Sequence, residues 1–118
     1  MADSTITKVG LESAPTGPMG QKYLAKGENV ALRLWDEEPD STPKAPASRD
    51  YETVGYVISG HAEVHFNDQV LELEQGDSWV VPRGVSHTYK ILAPFTAVEA
   101  TSPPAREEGR DESIQQPR

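Results

Sequence analysis

The 118-residue chain contains no cysteine. That excludes disulfide staples, thiolate metal ligands and cysteine nucleophiles, and it fits a cytoplasmic location. There is no apolar run of about 18 residues, the length a membrane-spanning helix needs. No basic-then-apolar opening marks a secretory signal. Positive charge is scarce, with 11 Lys and Arg against 19 Asp and Glu, a net charge of −8. Nucleic acid and anionic membrane are therefore poor partners, because both need clustered cations. An anionic ligand requires a local positive site. Hydrophobic residues make up only 36% and are unevenly spread. Residues 1–20 hold no apolar run, and residues 102–118 carry Pro103-Pro104, a mixed charge cluster and one aliphatic, Ile114. Neither end can bury enough surface to offset its ordering entropy alone. Both read as tails, either of which can still dock on the body or on a neighbouring subunit.

Between them the hydrophobic period is two. Strand-like stretches run over 30–35, 53–58, 62–66, 70–73, 79–82, 87–92 and 95–101, punctuated by Ser59-Gly60, Asn67-Asp68, Gly76-Asp77 and Pro82-Arg83-Gly84. Short strands at this spacing predict an all-β antiparallel sandwich or barrel. No segment carries a helical stripe. Residues 36–50, rich in Asp, Glu, Pro and Ser, read as a loop.

Gly76, Pro82, Gly84 and His87 fall at the spacing G-x5-P-x-G-x2-H. This resembles the second signature of the cupin superfamily, whose final Asn is replaced here by Ile91. Tyr56 to Gly60 is similar to the end of the first signature, and Pro103-Pro104 stands where small cupins often end their last strand. The resemblance covers about residues 30–104. It implies a jelly-roll barrel (a double-stranded β-helix) over 21–104, flanked by irregular tails at 1–20 and 105–118. It also places His87 inside the barrel, whose mouth is a ligand pocket.

The complete first signature, G-x5-H-x-H-x3,4-E-x6-G, would add two His and a Glu as metal ligands. Counted back from Gly60, the Glu position is Thr53. The His positions are Ala47 and Arg49, or Pro46 and Ser48 with the longer spacer. Of four expected ligands only His87 remains, and a lone imidazole is a poor divalent-metal site. No cofactor is expected. A rearranged metal site would need His87 with Glu52 or Glu99; Glu52 turns inward only through a one-residue bulge.

The remaining candidates follow from strand parity. Tyr89 shares a face with His87. Glu99 looks into the barrel if Phe95 and Ala97 do, and outward if Thr96, Val98 and Ala100 fill the core. Arg33 and Trp35 share a face opposite Leu32 and Leu34; they form a carboxylate clamp and wall if that face is inside. The preferred reading has Arg33 in solvent and Trp35 at a dimer contact. Arg49 either begins a strand in solvent or puts a fixed positive charge where the cation would sit. His61, Glu63 and His65 share one face, but Ala62, Val64 and Phe66 form the apolar one, so the His pair belongs outside.

Three functions fit. The first is a small-molecule-binding module that holds a polar or anionic ligand with His87, Tyr89, Arg49 and Arg33. The second is a metal-free acid–base enzyme using His87, Tyr89 and Glu99 as catalytic groups, of isomerase, epimerase or lyase type. The third is a metal-dependent, dioxygenase-like enzyme. The first is preferred. The resemblance also implies a homodimer, since small cupins commonly pair through edge strands.

Overall fold

A computed structural model of the chain describes residues 5–40 and 45–111. Six strands form one antiparallel sheet that curls into the expected jelly-roll barrel: β1 (Lys22–Lys26), β2 (Ala31–Glu37), β3 (Glu52–Phe66), β4 (Gln69–Glu74), β5 (Ser78–Val81) and β6 (Thr88–Ser102). Their order is β1-β2-β6-β3-β4, with β5 also paired to β3. A single 3-10 turn, Leu11–Ser13, is the other regular element among the described residues. No helix there is long and apolar enough to cross a membrane.

Two pairs of expected strands turn out to be continuous. The stretches at 53–58 and 62–66 are halves of β3, and those at 87–92 and 95–101 lie along β6. The Ser59-Gly60 signal is a bend rather than a break. Gly60 has φ +97°, and a Cβ there would overlap the Pro94 carbonyl on the adjacent strand. Only glycine combines that backbone conformation with that approach. The ladder between β3 and β6 slips register between Val57 and Ala62. Inward residues therefore change parity across the bend, from Thr53, Gly55 and Val57 to Ala62 and Val64. The first half of β3 pairs with β5 and the second with β4, so one strand serves both layers. Asn67 and Asp68, both at positive φ, make the two-residue hairpin between β3 and β4. β1 was not anticipated: Lys22–Lys26 alternates too weakly to stand out, and pairing with β2 creates it.

The core comprises Val57, Ala62, Val64, Leu73, Trp79, Val81, Ile91, Phe95 and Ala97. Trp79 lies flat across Gly55, where any Cβ would collide with its indole. On β2 the leucines are not the inward-facing residues. Ala31 and Arg33 are buried, while Leu32 is 41% exposed.

β6 ends at Ser102, ahead of Pro103-Pro104. Residues 103–111 then return across the barrel as turns, with Pro104, Ala105 and Asp111 buried. The Ala105 amide donates to Thr101 Oγ1 at 3.0 Å, and Lys26 pairs with Glu107 at 2.9 Å. This part of the C-terminal segment is docked on the body. Ile114 and the rest of 112–118 lie outside the described residues.

Candidate functional site

The barrel encloses a cavity of about 130 Å3. β2 contributes Arg33, Trp35 and Glu37, and β6 contributes Tyr89, Ile91, Phe95 and Glu99. Trp79 enters from β5 and Thr53 from β3, while Ala47, Arg49 and Tyr51 come from the chain leading into β3. The β2 residues alternate as the pleat requires, whereas β6 also lends Thr88 beside Tyr89 at its start.

His87 sits just before β6, where its backbone exchanges two hydrogen bonds with Ala47, each 3.0 Å. Ala47, Arg49, Thr53 and His87 all line the cavity. The His87 Nδ1 lies 2.9 Å from the Val85 carbonyl. A carbonyl only accepts, so Nδ1 carries the proton and Nε2 keeps the lone pair. Burial lowers the imidazole pKa, reinforced by the Arg49 and Arg33 charges; the Val85 bond and Glu99 oppose this without reversing it. The ring is therefore neutral at pH 7.

Tyr89 meets His87 edge to face, with ring centroids 5.4 Å apart. Its hydroxyl accepts from Trp79 Nε1 at 3.2 Å. Burial and the nearby Glu99 charge raise the phenol pKa, so it stays protonated at physiological pH. Tyr89 is thus a neutral donor, not a base.

Arg33 is 6% exposed. Its Nε donates to Glu99 at 2.8 Å, and its Nη1 to Asp111 at 2.9 Å and the Tyr51 hydroxyl at 3.1 Å. The guanidinium also lies 5.0 Å from the Trp35 ring and 5.2 Å from Tyr51. Trp35 Nε1 gives Glu99 a second bond, at 2.7 Å. Burial alone would lower the Arg33 pKa, but Glu99, Tyr51 and Asp111 outweigh it and the charge is locked on. The expected solvent-exposed Arg33 is therefore corrected: an inward-facing guanidinium survives because two carboxylates neutralise it. Glu99 faces inward with Phe95 and Ala97, which decides its open orientation.

Arg49 also faces the cavity, its Nη1 on the Asp111 carbonyl and its Nη2 on Met19 Sδ, both at 3.1 Å. Glu52 points outward and is exposed, so the bulge that would turn it in is absent. His61, Glu63 and His65 lie on the outside as expected. His65 pairs with Glu63 at 2.9 Å and His61 with Glu72 at 3.2 Å. Among the described residues, one group of three ligand-type side chains has its ligand atoms mutually within 4.8 Å: His61, Glu72 and Glu74, on that outer face. Tyr51 and Asp111 were missed. Tyr51 has the parity of Arg49 and Thr53 and could have been found from it; Asp111 had no local signal.

The fold and the second signature converge on one family, and the cupin domain model matches residues 33–100, more than half of the chain. The chain belongs to the cupin family. No curated protein matches it. Among solved structures this cupin is similar to an RmlC-like cupin from Shewanella frigidimarina, with a TM-score of 0.72 and 19% identity over 88% of this chain and 96% of that one. It is also similar to KdgF from Halomonas sp., at TM-score 0.63 and 22% identity over 70% and 76% of the chains. The EutQ protein of Clostridium difficile follows at TM-score 0.65 and 12% identity, over 77% and 69%. At these identities the likeness carries the fold alone.

Proposed function

We propose that this cupin binds a small polar or anionic molecule in its barrel through Arg49, His87 and Tyr89, without a metal ion. One observation carries the reading. With the shorter spacer, the positions at which the family's two signatures place metal ligands are Ala47, Arg49, Thr53 and His87; all line the cavity, and they offer a methyl, a guanidinium, a hydroxyl and one imidazole. That donor set does not fit a divalent cation. Arg49 instead brings a permanent positive charge to the same wall, suited to a carboxylate or another anion. Glu99 does not rebuild the site, because Arg33 and Trp35 already hold one of its oxygens. Arg33 is a charged wall of the pocket rather than a clamp for ligand, since its charge is met by Glu99 and Asp111.

A thermal-stability screen of small carboxylates, sugar acids and neutral sugars tests this. A hit should lose about 10–100-fold in affinity in Arg49→Ala and in His87→Ala, as expected for a charge-assisted hydrogen bond of about 1.5–3 kcal/mol. No hit, or hits indifferent to both substitutions, would sink the reading. A second reading has its own observation: the neutral His87, with Nδ1 pinned and Nε2 carrying the lone pair, is in the state of a general base. Following each hit by NMR in D2O separates the two, since conversion or deuterium uptake identifies an enzyme.

We further propose that the protein works as a homodimer in which a second copy covers the outer face of β2, β6, β3 and β5. Leu32, Val54, Tyr56, Ile58 and Val80 are each 41–58% exposed there, and the strand register places Val54 between Ala100 and Val80, and Tyr56 beside Val98. A continuous apolar surface of this kind is what an interface needs. Sedimentation equilibrium should give a dimer that Val54→Asp and Tyr56→Asp together convert to monomer. A wild-type monomer at micromolar concentration would rule the pairing out.

A further inference from the structure

Asp111 is only 4% exposed, yet it belongs to no strand and enters the barrel from a segment of turns. Four side chains donate to its carboxylate. Oδ1 accepts from the Tyr51 hydroxyl at 2.5 Å and from Arg33 Nη1 at 2.9 Å; Oδ2 accepts from the Tyr23 hydroxyl at 2.6 Å and from Gln21 Nε2 at 3.0 Å. The buried Gln21 amide is itself oriented, because its Oε1 accepts from the Met19 amide at 2.8 Å. A carboxylate has about four acceptor sites, and here each is used. Tyr23 comes from β1, Arg33 from β2, and Gln21 and Tyr51 from the residues just ahead of β1 and β3. None comes from the segment that carries Asp111. The barrel therefore supplies a complete receptor, and the C-terminal segment supplies the carboxylate. Two of the four donors, Arg33 and Tyr51, also line the cavity, so the receptor adjoins it.

Elsewhere the segment is held by the Ala105–Thr101 bond, by Arg106 over the Tyr23 ring at 5.2 Å and by Arg49 on the Asp111 carbonyl. Only Pro104 and Ala105 are otherwise buried, and the Lys26–Glu107 pair is solvent-exposed. Arg110 Nε is buried without a hydrogen-bond partner and lies 4.0 Å from Asp50. Asp111 is the anchor.

We propose that Gln21, Tyr23, Arg33 and Tyr51 form a carboxylate-binding subsite beside the cavity that the chain fills with its own Asp111, so that an external carboxylate and the C-terminal segment compete for it. This deepens the ligand reading above and rests on it for the external molecule. The receptor itself is independent of that reading. Tethering gives Asp111 a high effective concentration, so a simple monocarboxylate does not displace it from the intact protein. A ligand prevails when it also fills the cavity, or when Asp111 is removed.

The full-length Asp111→Ala variant tests the receptor with formate, the smallest carboxylate. In sodium chloride it should melt roughly 10 °C below wild type, on the scale of a lost buried charge pair in a small domain. Sodium formate at equal ionic strength should recover most of that loss. It should do little for wild type, or for Asp111→Ala combined with Tyr51→Phe, which lacks a donor. Asp111→Ser, with room for formate and a hydroxyl for Arg33, should follow the same order. If Asp111→Ala is unfolded in chloride, refolding in formate is the same rescue. Formate that acts equally on all variants, or on none, overturns the proposal. Formate reads the receptor without any cavity ligand, so its failure and a failed ligand screen are distinguishable.

Discussion

Replacing Arg33 with alanine is expected to destabilise the protein by about 3–5 kcal/mol, the range for removing one partner of a buried ion pair. The effect is large because one cation serves two carboxylates: Glu99 at 2.8 Å and Asp111 at 2.9 Å both lose their counter-charge while staying buried. An exposed pair such as Lys26–Glu107 contributes far less, because solvent screens it. The pH dependence has a definite sign. Burial alone would raise the Asp111 carboxyl, but Arg33 and the bonds from Tyr23, Tyr51 and Gln21 outweigh it and hold it below the usual carboxylate range. A carboxyl depressed by folding contributes stability above its unfolded pKa of about 3.9, and that stability is lost as the pH falls through its folded value. Without Arg33 the buried carboxylate takes up a proton more readily. The deficit of Arg33→Ala is therefore greatest at neutral pH and shrinks in acid. Urea unfolding of both proteins at neutral and mildly acidic pH measures it. A deficit below about 1 kcal/mol, or one that does not change with pH, contradicts the assigned network.

Which parts of this arrangement the sequence announces depends on how local each one is. The two turns that flank β5, at Gly76 and at Pro82 to Gly84, are legible because their glycines and Pro82 answer to short-range backbone demands, and His87 follows at a fixed distance. Gly76 and Gly84 both adopt positive φ. Parity within a strand is legible too: Arg33 with Trp35, Tyr89 with His87, and Glu99 with Phe95 share faces as read. Which face is inside is not legible for β2. Leu32 and Leu34 are the apolar pair, but the interior there is a charged cavity, and the outer face of the sheet is itself apolar. The rule that apolar residues face inward fails where both faces carry them. Parity through β3 fails for another reason, since the register slips around Gly60 and no residue count crosses it. Asp111 is beyond any local reading, as it meets a side chain 78 positions away in a segment that looks like a solvated charge cluster.

Installing the three further ligands that the shorter-spaced signature would place here should turn the cavity into a metal site. The variant Ala47→His, Arg49→His and Thr53→Glu restores two imidazoles and a carboxylate beside His87, and all four positions line one cavity. Removing Arg49 also withdraws the charge that repels a cation. This variant is expected to bind Zn2+ or Ni2+ at one ion per chain and to gain about 2.7 kcal/mol of stability at metal concentrations 100-fold above Kd. Adding His87→Ala should abolish most of the gain. Failure of the triple variant to bind metal would mean that these positions are not the family's ligand positions, and the argument from their chemistry would fall.

The most direct measurement is the metal content of tag-free wild-type protein by elemental analysis, beside His87→Ala and the His61→Ala/His65→Ala pair. No stoichiometric metal that depends on His87 is expected. Metal lost only with the His61/His65 pair locates the outer cluster with Glu72 and Glu74 and leaves the account intact. Near-stoichiometric metal that disappears with His87→Ala and survives removal of the outer pair would contradict it, and would make the barrel a metal centre after all.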